Sequence, residues 1–263
     1  MLIVLALFSC QKQSSNPKSD FYFVQITDTH WGDNDNLSRT RAIVDSINKL
    51  SVPITFVAHT GDLTAEGICS GACVDSGFAI MKKLRYPVIY AAGNRDISEE
   101  NYKAESEAFA KNCKSICEKR EINNVCVVNL FNFWISDTVT GKTIYDPSAK
   151  LDSLLSGVAQ NEPILIFQHD PMVNSFYENA FHEGDWDLKS RNKYFEICHR
   201  YNVKGIFAGH FHRDELHWDG YLPIFVSEPI AADNGHQASF RVYHYLNGQI
   251  SYFTQYIMPG EKP

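Results

Sequence analysis

Strand-length apolar runs alternate with amphipathic helical stretches along this chain, and together they predict an α/β fold. A strand-only tail predicts that antiparallel strands complete the sheet structure. A third observation agrees: Asp, His and Asn residues gather directly behind the apolar runs, where reactive groups of such folds sit at the carboxyl ends of strands.

The elements follow in order. Residues 21–27 (FYFVQIT) read as a buried strand, and the next stretch is helical because Ile43, Val44, Ile47 and Leu50 share one face. Residues 54–60 (ITFVAHT) form the second strand, with a helix over SGFAIMKKL behind it. PVIYAAG (87–93) is the third strand, 98–112 a helix, and VCVVNLFNFWISD (125–137) one or two strands. A helix at 148–157 precedes the strand PILIFQH (163–169), and one at 187–201 precedes VKGIFAG (203–209). The tail reads as strands at LPIFVSE, SFRVYHYL and ISYFTQYI, with Asn247-Gly248 as the hairpin turn between the last two.

With 263 residues, the chain fits one large domain better than two small ones. Its 44% hydrophobic and 21% charged content is ordinary globular composition. A net charge of −7 argues against a nucleic-acid partner, since no basic field draws in phosphate backbones. A phosphorylated small molecule remains compatible, because bound divalent cations reverse the sign inside a site.

The start, MLIVLALFSC followed by QKQSSNPKSD, is an apolar run too short to span a bilayer as a helix. It matches the apolar part of a secretory signal peptide, without the usual basic residues ahead of it. LFSC resembles a bacterial lipobox, which implies export, lipidation of Cys10 and a membrane-anchored protein at the cell envelope or periplasm. Residues 1–20 are then leader and tether, and 21–263 the domain. An exported protein can oxidise its thiols. Disulfides are expected within residues 69–126, among Cys69, Cys73, Cys113, Cys117 and Cys126 with pairing open, and Cys198 is expected to be a buried thiol.

Five blocks carry the chemistry. The first strand runs into Asp28 and His30, the second into Gly61-Asp62, and the third into Gly93, Asn94, Arg95 and Asp96. The strand ending at His169 continues into Asp170-Pro171, and another runs into Gly209, His210 and His212. Carboxylate, imidazole and carboxamide are ligands for a hard-to-borderline divalent ion. Glycines before Asp62, Asn94 and His210 let the backbone approach such a site closely. An isolated Gly-Asp is an ordinary turn; five blocks in order, each behind a strand, are not.

With those blocks (DTH, GD, GNRD, HDP, GHFH), the chain resembles the calcineurin-like metallophosphoesterase superfamily from about residue 21 to 257. The resemblance implies two packed mixed sheets flanked by helices, a four-layer α/β/β/α sandwich. It implies two divalent ions, Mn, Fe or Zn: Asp28, His30 and His212 on one, Asn94, His169 and His210 on the other, with Asp62 bridging. It further implies hydrolysis of a phosphate ester, monoester or diester, by a bridging hydroxide. The superfamily has histidine where this chain has Arg95, so the residue beside the metals can neutralise a phosphoryl oxygen but cannot donate a proton near neutral pH. His59 and His182 are alternative acids, and good leaving groups are an alternative answer.

Asp96 is open between orienting a ligand and capping a helix that begins near Ser98. Residues 174–187 are open between a substrate-facing loop, with Tyr177, His182 and Trp186 shaping the pocket, and plain packing. His217, His236 and His244 fall outside the blocks and read as structural or surface groups. The expected partners are a small phosphoester and, through Cys10, a membrane. The rival reading is a metal-bound surface lipoprotein that holds a phosphorylated ligand without turning it over.

Overall fold

The computed structural model describes residues 19–69, 71–174, 186–232, 235 and 237–257. Apart from Ser19 and Asp20, the leader and tether, Cys10 included, lie outside these, as do Tyr177, His182 and His236. Among the described residues, no helix is long and apolar enough to cross a membrane.

The chain opens with β1 (Asp20–Ile26), α1 (Asn36–Asn48), β2 (Ile54–Thr60), α2 (Gly71–Met81), β3 (Val88–Ala91) and α3 (Tyr102–Cys113). The hairpin β4 (Cys117–Ile122) and β5 (Val125–Leu130) follows, then a small pair β6 (Ile135–Ser136) and β7 (Thr143–Tyr145). After α4 (Pro147–Leu155) come β8 (Ile164–Phe167), α5 (Leu188–Arg200) and β9 (Val203–Ala208). The tail contributes β10 (Glu215–Asp219), β11 (Leu222–Val226), β12 (Ser239–Leu246) and β13 (Gln249–Tyr256).

Two sheets result. The first has the order β13-β12-β1-β2-β3, with β1, β2 and β3 parallel and β12 antiparallel to both β1 and β13. The second has the order β10-β11-β9-β8-β5-β4, with β5, β8, β9 and β11 parallel and antiparallel strands at each edge. The carboxyl ends of β1, β2, β3, β8 and β9 therefore share one end of the molecule.

Strand alternation assigns each side chain of β1 to a layer. Val24 and Ile26 face outward, under Ile43, Val44 and Ile47 of α1 and Phe78 of α2. Phe21 and Phe23 face inward to the second sheet. There, Phe23 stacks on Phe56 (5.1 Å) and Phe167 on Phe207 (4.8 Å), one pair per sheet. The pairs meet edge to face, Phe23 being 5.6 Å from Phe167 and 5.1 Å from Phe207, the arrangement their quadrupoles favour. On the far side of the second sheet, Leu151 and Leu155 of α4 and Tyr194, Phe195 and Ile197 of α5 cover Val128, Ile166 and Ile206. This is the four-layer sandwich the resemblance implies.

The structure corrects four readings. The strand β4 and its hairpin were not foreseen, although Asn123 (φ 49°) and Asn124 (φ 60°) are the left-handed pair such a turn needs. In the tail, β12 and β13 pair antiparallel as expected, but β11 lies parallel to β9. Helix α3 starts at Tyr102, because Glu105 Oε2 accepts from Ser98 N (2.6 Å) and Ser98 Oγ (2.8 Å) and holds the preceding residues in a turn. Finally, among the described residues no disulfide joins Cys69, Cys73, Cys113, Cys117, Cys126 or Cys198. The i, i+4 pairs do not share a helix: Cys69 precedes α2, while Cys113 ends α3 and Cys117 opens β4. Cys113 packs into the core under the first sheet, and Cys117 and Cys126 into that under the second. Cys198 is buried as expected, and burial raises its thiol pKa.

Candidate metal centre

The end of β1 delivers Asp28 and His30, that of β2 Asp62, that of β8 His169, and that of β9 His210 and His212. Asp28, His30, Asp62, His210 and His212 all have left-handed backbones, with φ of 51°, 42°, 51°, 70° and 53°. Non-glycine residues rarely adopt this region, and its cost of about 1–3 kcal/mol each is tolerated where function needs a particular aim. The turn at each strand end points residues two apart into one pocket.

The ligand atoms form two groups, Asp28-His30-His212 and Asp62-His169-His210, with the atoms of each within 4.8 Å of one another. His30 Nε2 lies 3.2 Å from His212 Nε2, and Asp28 Oδ1 is 3.2 Å from His212 Nε2. In the second group His169 Nε2 is 3.2 Å from both Asp62 Oδ2 and His210 Nδ1. Asp62 Oδ2 is also 3.8 Å from His30 Nε2, so this carboxylate stands between the groups. Asp28, Asp62 and His169 are buried, and the site opens past the half-buried His210 and His212. Asn94 and Arg95 lie exposed on the turn after β3, tied to the centre by the Arg95 N–H, which donates to Asp62 Oδ1 (2.8 Å).

The glycines are there for space. A Cβ on Gly93 would lie 2.2 Å from Asp62 Oδ1, and one on Gly61 2.5 Å from His169 Nδ1. One on Gly209 would meet Thr27 Oγ1 at 2.0 Å and Asp28 Oδ2 at 2.4 Å.

These donors fit divalent ions. His169 Nδ1 sits 2.7 Å from the Thr60 carbonyl and must donate to it, which turns Nε2 toward Asp62 Oδ2 and His210 Nδ1. Facing a carboxylate oxygen, Nε2 must share a positive charge with it, a proton in the metal-free site or a divalent ion in the proton's place. Asp28 Oδ1 is likewise buried, with no well-formed hydrogen bond and only the imidazole nitrogens of His212, His30 and His169 around it at 3.2, 3.7 and 3.8 Å. Burial opposes charge on every one of these groups, yet the field of Asp62 and Asp28 overrides it and pushes His169 up to about 10. Burial is likewise overcome at Asp28, which the neighbouring histidines, His169 foremost, hold well below the usual carboxylate range. The pocket is a trap for positive charge, and carboxylate with imidazole is the donor set of Mn, Fe and Zn.

Asp96 is fully buried behind the centre: Oδ1 accepts from Thr64 N (3.0 Å) and Thr64 Oγ1 (3.2 Å), and Oδ2 from Gly93 N (2.9 Å). It thus ties the Asp62 loop to the Asn94 loop, and it caps no helix. Burial, with the charge of Asp62, pushes its carboxyl up to about 7. His59 is also buried behind the centre, where Nε2 meets Thr29 Oγ1 (3.0 Å) and Nδ1 accepts from Gly61 N (3.3 Å). Burial drives it down to about 3, so it is a neutral structural group rather than an acid facing substrate. Trp186 is packing: its indole N–H donates to Asn132 O (3.0 Å) and its ring lies against Trp134 and Tyr194. His217 pairs with Glu215 (2.6 Å), and His244 with Asp20 (2.7 Å), as structural groups do.

One positioning residue left no sequence signal. Asn132 Oδ1 accepts from the N–H groups of His169 and Asp170 (both 3.2 Å), and its Nδ2 donates to Asp170 O (2.8 Å), which sets the loop that aims His169. An asparagine behind a strand reads as a turn; only the neighbouring strand β8 shows what it holds.

No curated protein matches the sequence. Among solved structures, a dimetal phosphatase from Danio rerio superposes with a TM-score of 0.61 at 14% identity, covering 89% of this chain and 98% of that one. GAP50, the anchor in the inner membrane complex of Plasmodium, gives 0.60 at 14% identity, over 94% of this chain and 87% of its own. A putative 5′-nucleotidase from Staphylococcus aureus gives 0.60 at 11% identity, over 92% of this chain and 55% of its own. At such identities these likenesses speak for the fold. Residues 21–214 match the family described as calcineurin-like phosphoesterase, and with most of the chain inside that match the protein belongs to this family of hydrolases.

Proposed function

We propose that the protein hydrolyses a small phosphate ester at a dinuclear metal centre. Asp28, His30 and His212 would hold one divalent ion, Asn94, His169 and His210 the other, and Asp62 both. The observation that carries this reading is the pair of ligand groups converging at the strand ends with Asp62 between them, His169 Nε2 lying 3.2 Å from Asp62 Oδ2 while its Nδ1 is committed to the Thr60 carbonyl. When bound, a pair of divalent ions lowers the pKa of an attacking water and offsets charge on the phosphoryl oxygens. The chain's own residues do the rest. Thr60 and Asn132 fix the aim of His169, Asp96 fixes the Gly93–Arg95 turn, and Arg95 stands exposed beside Asp62 as a cation for a phosphoryl oxygen.

Arg95 also sets the expected substrate. An arginine where the family has histidine supplies charge rather than a general acid, so the leaving oxygen must depart with little help. Aryl esters are therefore favoured over alkyl esters, by a margin on the order of the 10²–10⁴-fold that general-acid catalysis supplies. A panel of aryl and alkyl phosphate mono- and diesters, assayed with Mn²⁺, Fe²⁺ and Zn²⁺ and with Asp62→Asn as control, tests both points. Turnover by Asp62→Asn at the wild-type rate, or equal leaving-group sensitivity in wild type and Arg95→His, counts against the reading.

The same Arg95 favours a second reading, a metal-bound surface lipoprotein that retains a phosphorylated ligand. Two bound ions with no ester turned over would select it. Lipidation of Cys10 and placement at the cell envelope belong to both readings; an unmodified Cys10 in the intact mass of membrane-extracted protein would exclude them.

A further inference from the structure

The layer between the sheets is aromatic along most of its length, and polar side chains enter it at the metal end, where Gln25 of β1 stands beside Arg241 of β12. Phe21 and Phe23 occupy the inward row of β1, and the next position of that row is Gln25, with no exposed surface. Its amide uses every bonding position it has. Nε2 donates to Thr60 Oγ1 (3.0 Å) and to Ala208 O (2.8 Å). Oε1 accepts from Ser227 Oγ (2.9 Å) and Tyr243 OH (2.9 Å). An amide buried among phenyl rings is costly unless fully paired, so this one fixes its neighbours in a single arrangement.

Those neighbours matter. Thr60 and Ala208 are the last residues of β2 and β9, each followed by a glycine and then a ligand, Asp62 or His210. Gln25 itself stands in β1, three residues ahead of Asp28. One side chain thus joins three strands whose ends carry ligands, and the Ala208 and Ser227 bonds cross between the sheets. Each ligand group is also drawn from both sheets: Asp28 and His30 meet His212, and Asp62 meets His169 and His210. The spacing of the sheets at this end therefore sets the span of both groups.

We propose that Gln25 is a positioning residue for the metal centre, holding the two sheets at the separation that brings each ligand group together. The inference rests on the dinuclear reading above. Its test is equilibrium dialysis of wild type, Gln25→Met and Phe21→Leu against Mn²⁺ and Co²⁺. Bound metal is counted by plasma mass spectrometry, the Co²⁺ visible spectrum is recorded, and the melting temperature of each metal-free protein is measured. Phe21→Leu is the control, because it disturbs the same row of β1 without touching these bonds.

The expected result is metal binding 10–100-fold weaker in Gln25→Met, the range found when groups supporting a ligand are removed. Its Co²⁺ spectrum should change, while Phe21→Leu binds like wild type at an equal or larger loss of melting temperature. Wild-type affinity in Gln25→Met overturns the proposal, as does a loss in both variants that merely follows melting temperature. A wild type that binds no ion overturns the dinuclear reading itself, an outcome distinct from either. If Gln25→Met does not fold, Ser227→Ala removes one cross-sheet bond and little volume. A few-fold weakening is expected there, and unchanged binding overturns the proposal.

Discussion

Replacing Asp96 by asparagine changes one oxygen to an NH₂ group and leaves the shape intact, so it isolates what the carboxylate does. Asp96 accepts three hydrogen bonds, two at Oδ1 from Thr64 and one at Oδ2 from Gly93 N. Asparagine accepts only through its remaining oxygen. With that oxygen kept at Thr64, its NH₂ faces the Gly93 N–H, donor against donor, in a site with no exposure. An orphaned buried donor costs about 1–3 kcal/mol. For a domain of this size, 1 kcal/mol moves the melting temperature by about 2–4 °C, so the metal-free variant should melt on the order of 5 °C lower. Metal affinity should fall by about 10–100-fold, because the Asp62 and Asn94 loops are no longer tied together. The deficit depends on pH. Asp96 has a folded pKa near 7 against 3.8 unfolded, so the folded state holds its proton more tightly. Wild type therefore loses stability relative to Asp96→Asn as pH rises from about 4 to 7, and the gap between them narrows. Calorimetry of both metal-free proteins across that window, with metal titrations at pH 7, checks each step. A melting temperature within 1 °C of wild type (roughly the resolution implied by the slope above), together with unchanged metal affinity, would refute the role assigned to Asp96.

Other outcomes follow from the same geometry. Gly209→Ala places a Cβ 2.0 Å from Thr27 Oγ1 and 2.4 Å from Asp28 Oδ2, so the β9 loop must shift. Metal should be lost in metal analysis even where circular dichroism shows the fold intact. Phe207→Ala removes a fully buried ring that contacts Phe23, Phe167 and Phe225, and should cost about 3–5 kcal/mol in urea unfolding with no direct change at the ligands. Chelation of the as-purified protein should lower its melting temperature, since ligand at 100 times Kd contributes about 2.7 kcal/mol. Adding Mn²⁺ back should restore it, and an unchanged melting curve in both steps would speak against resident ions.

The local signals were legible because they are local. A period of two or 3.6 marks most elements, and a polar residue behind an apolar run marks a strand end, so the sequence by itself determined the order of the elements apart from β4, β7 and β10. It also determined the six Asp and His positions that converge. What it could not carry were facts that depend on which strand lies beside which. The parallel placement of β11 next to β9 is settled by the pairing of Ile224, Phe225 and Val226 with Ile206, Phe207 and Ala208, some 18 residues away along the chain. That no disulfide joins Cys113 to Cys117 follows from their burial against opposite sheets, which i, i+4 spacing does not reveal. His59 looked like an acid and is a buried neutral ring, while Gln25 and Asn132 looked unremarkable and hold the ligand loops. A side chain's role here is decided by the groups that surround it after packing, and those come from strands distant in sequence. Tertiary structure alone brings them together.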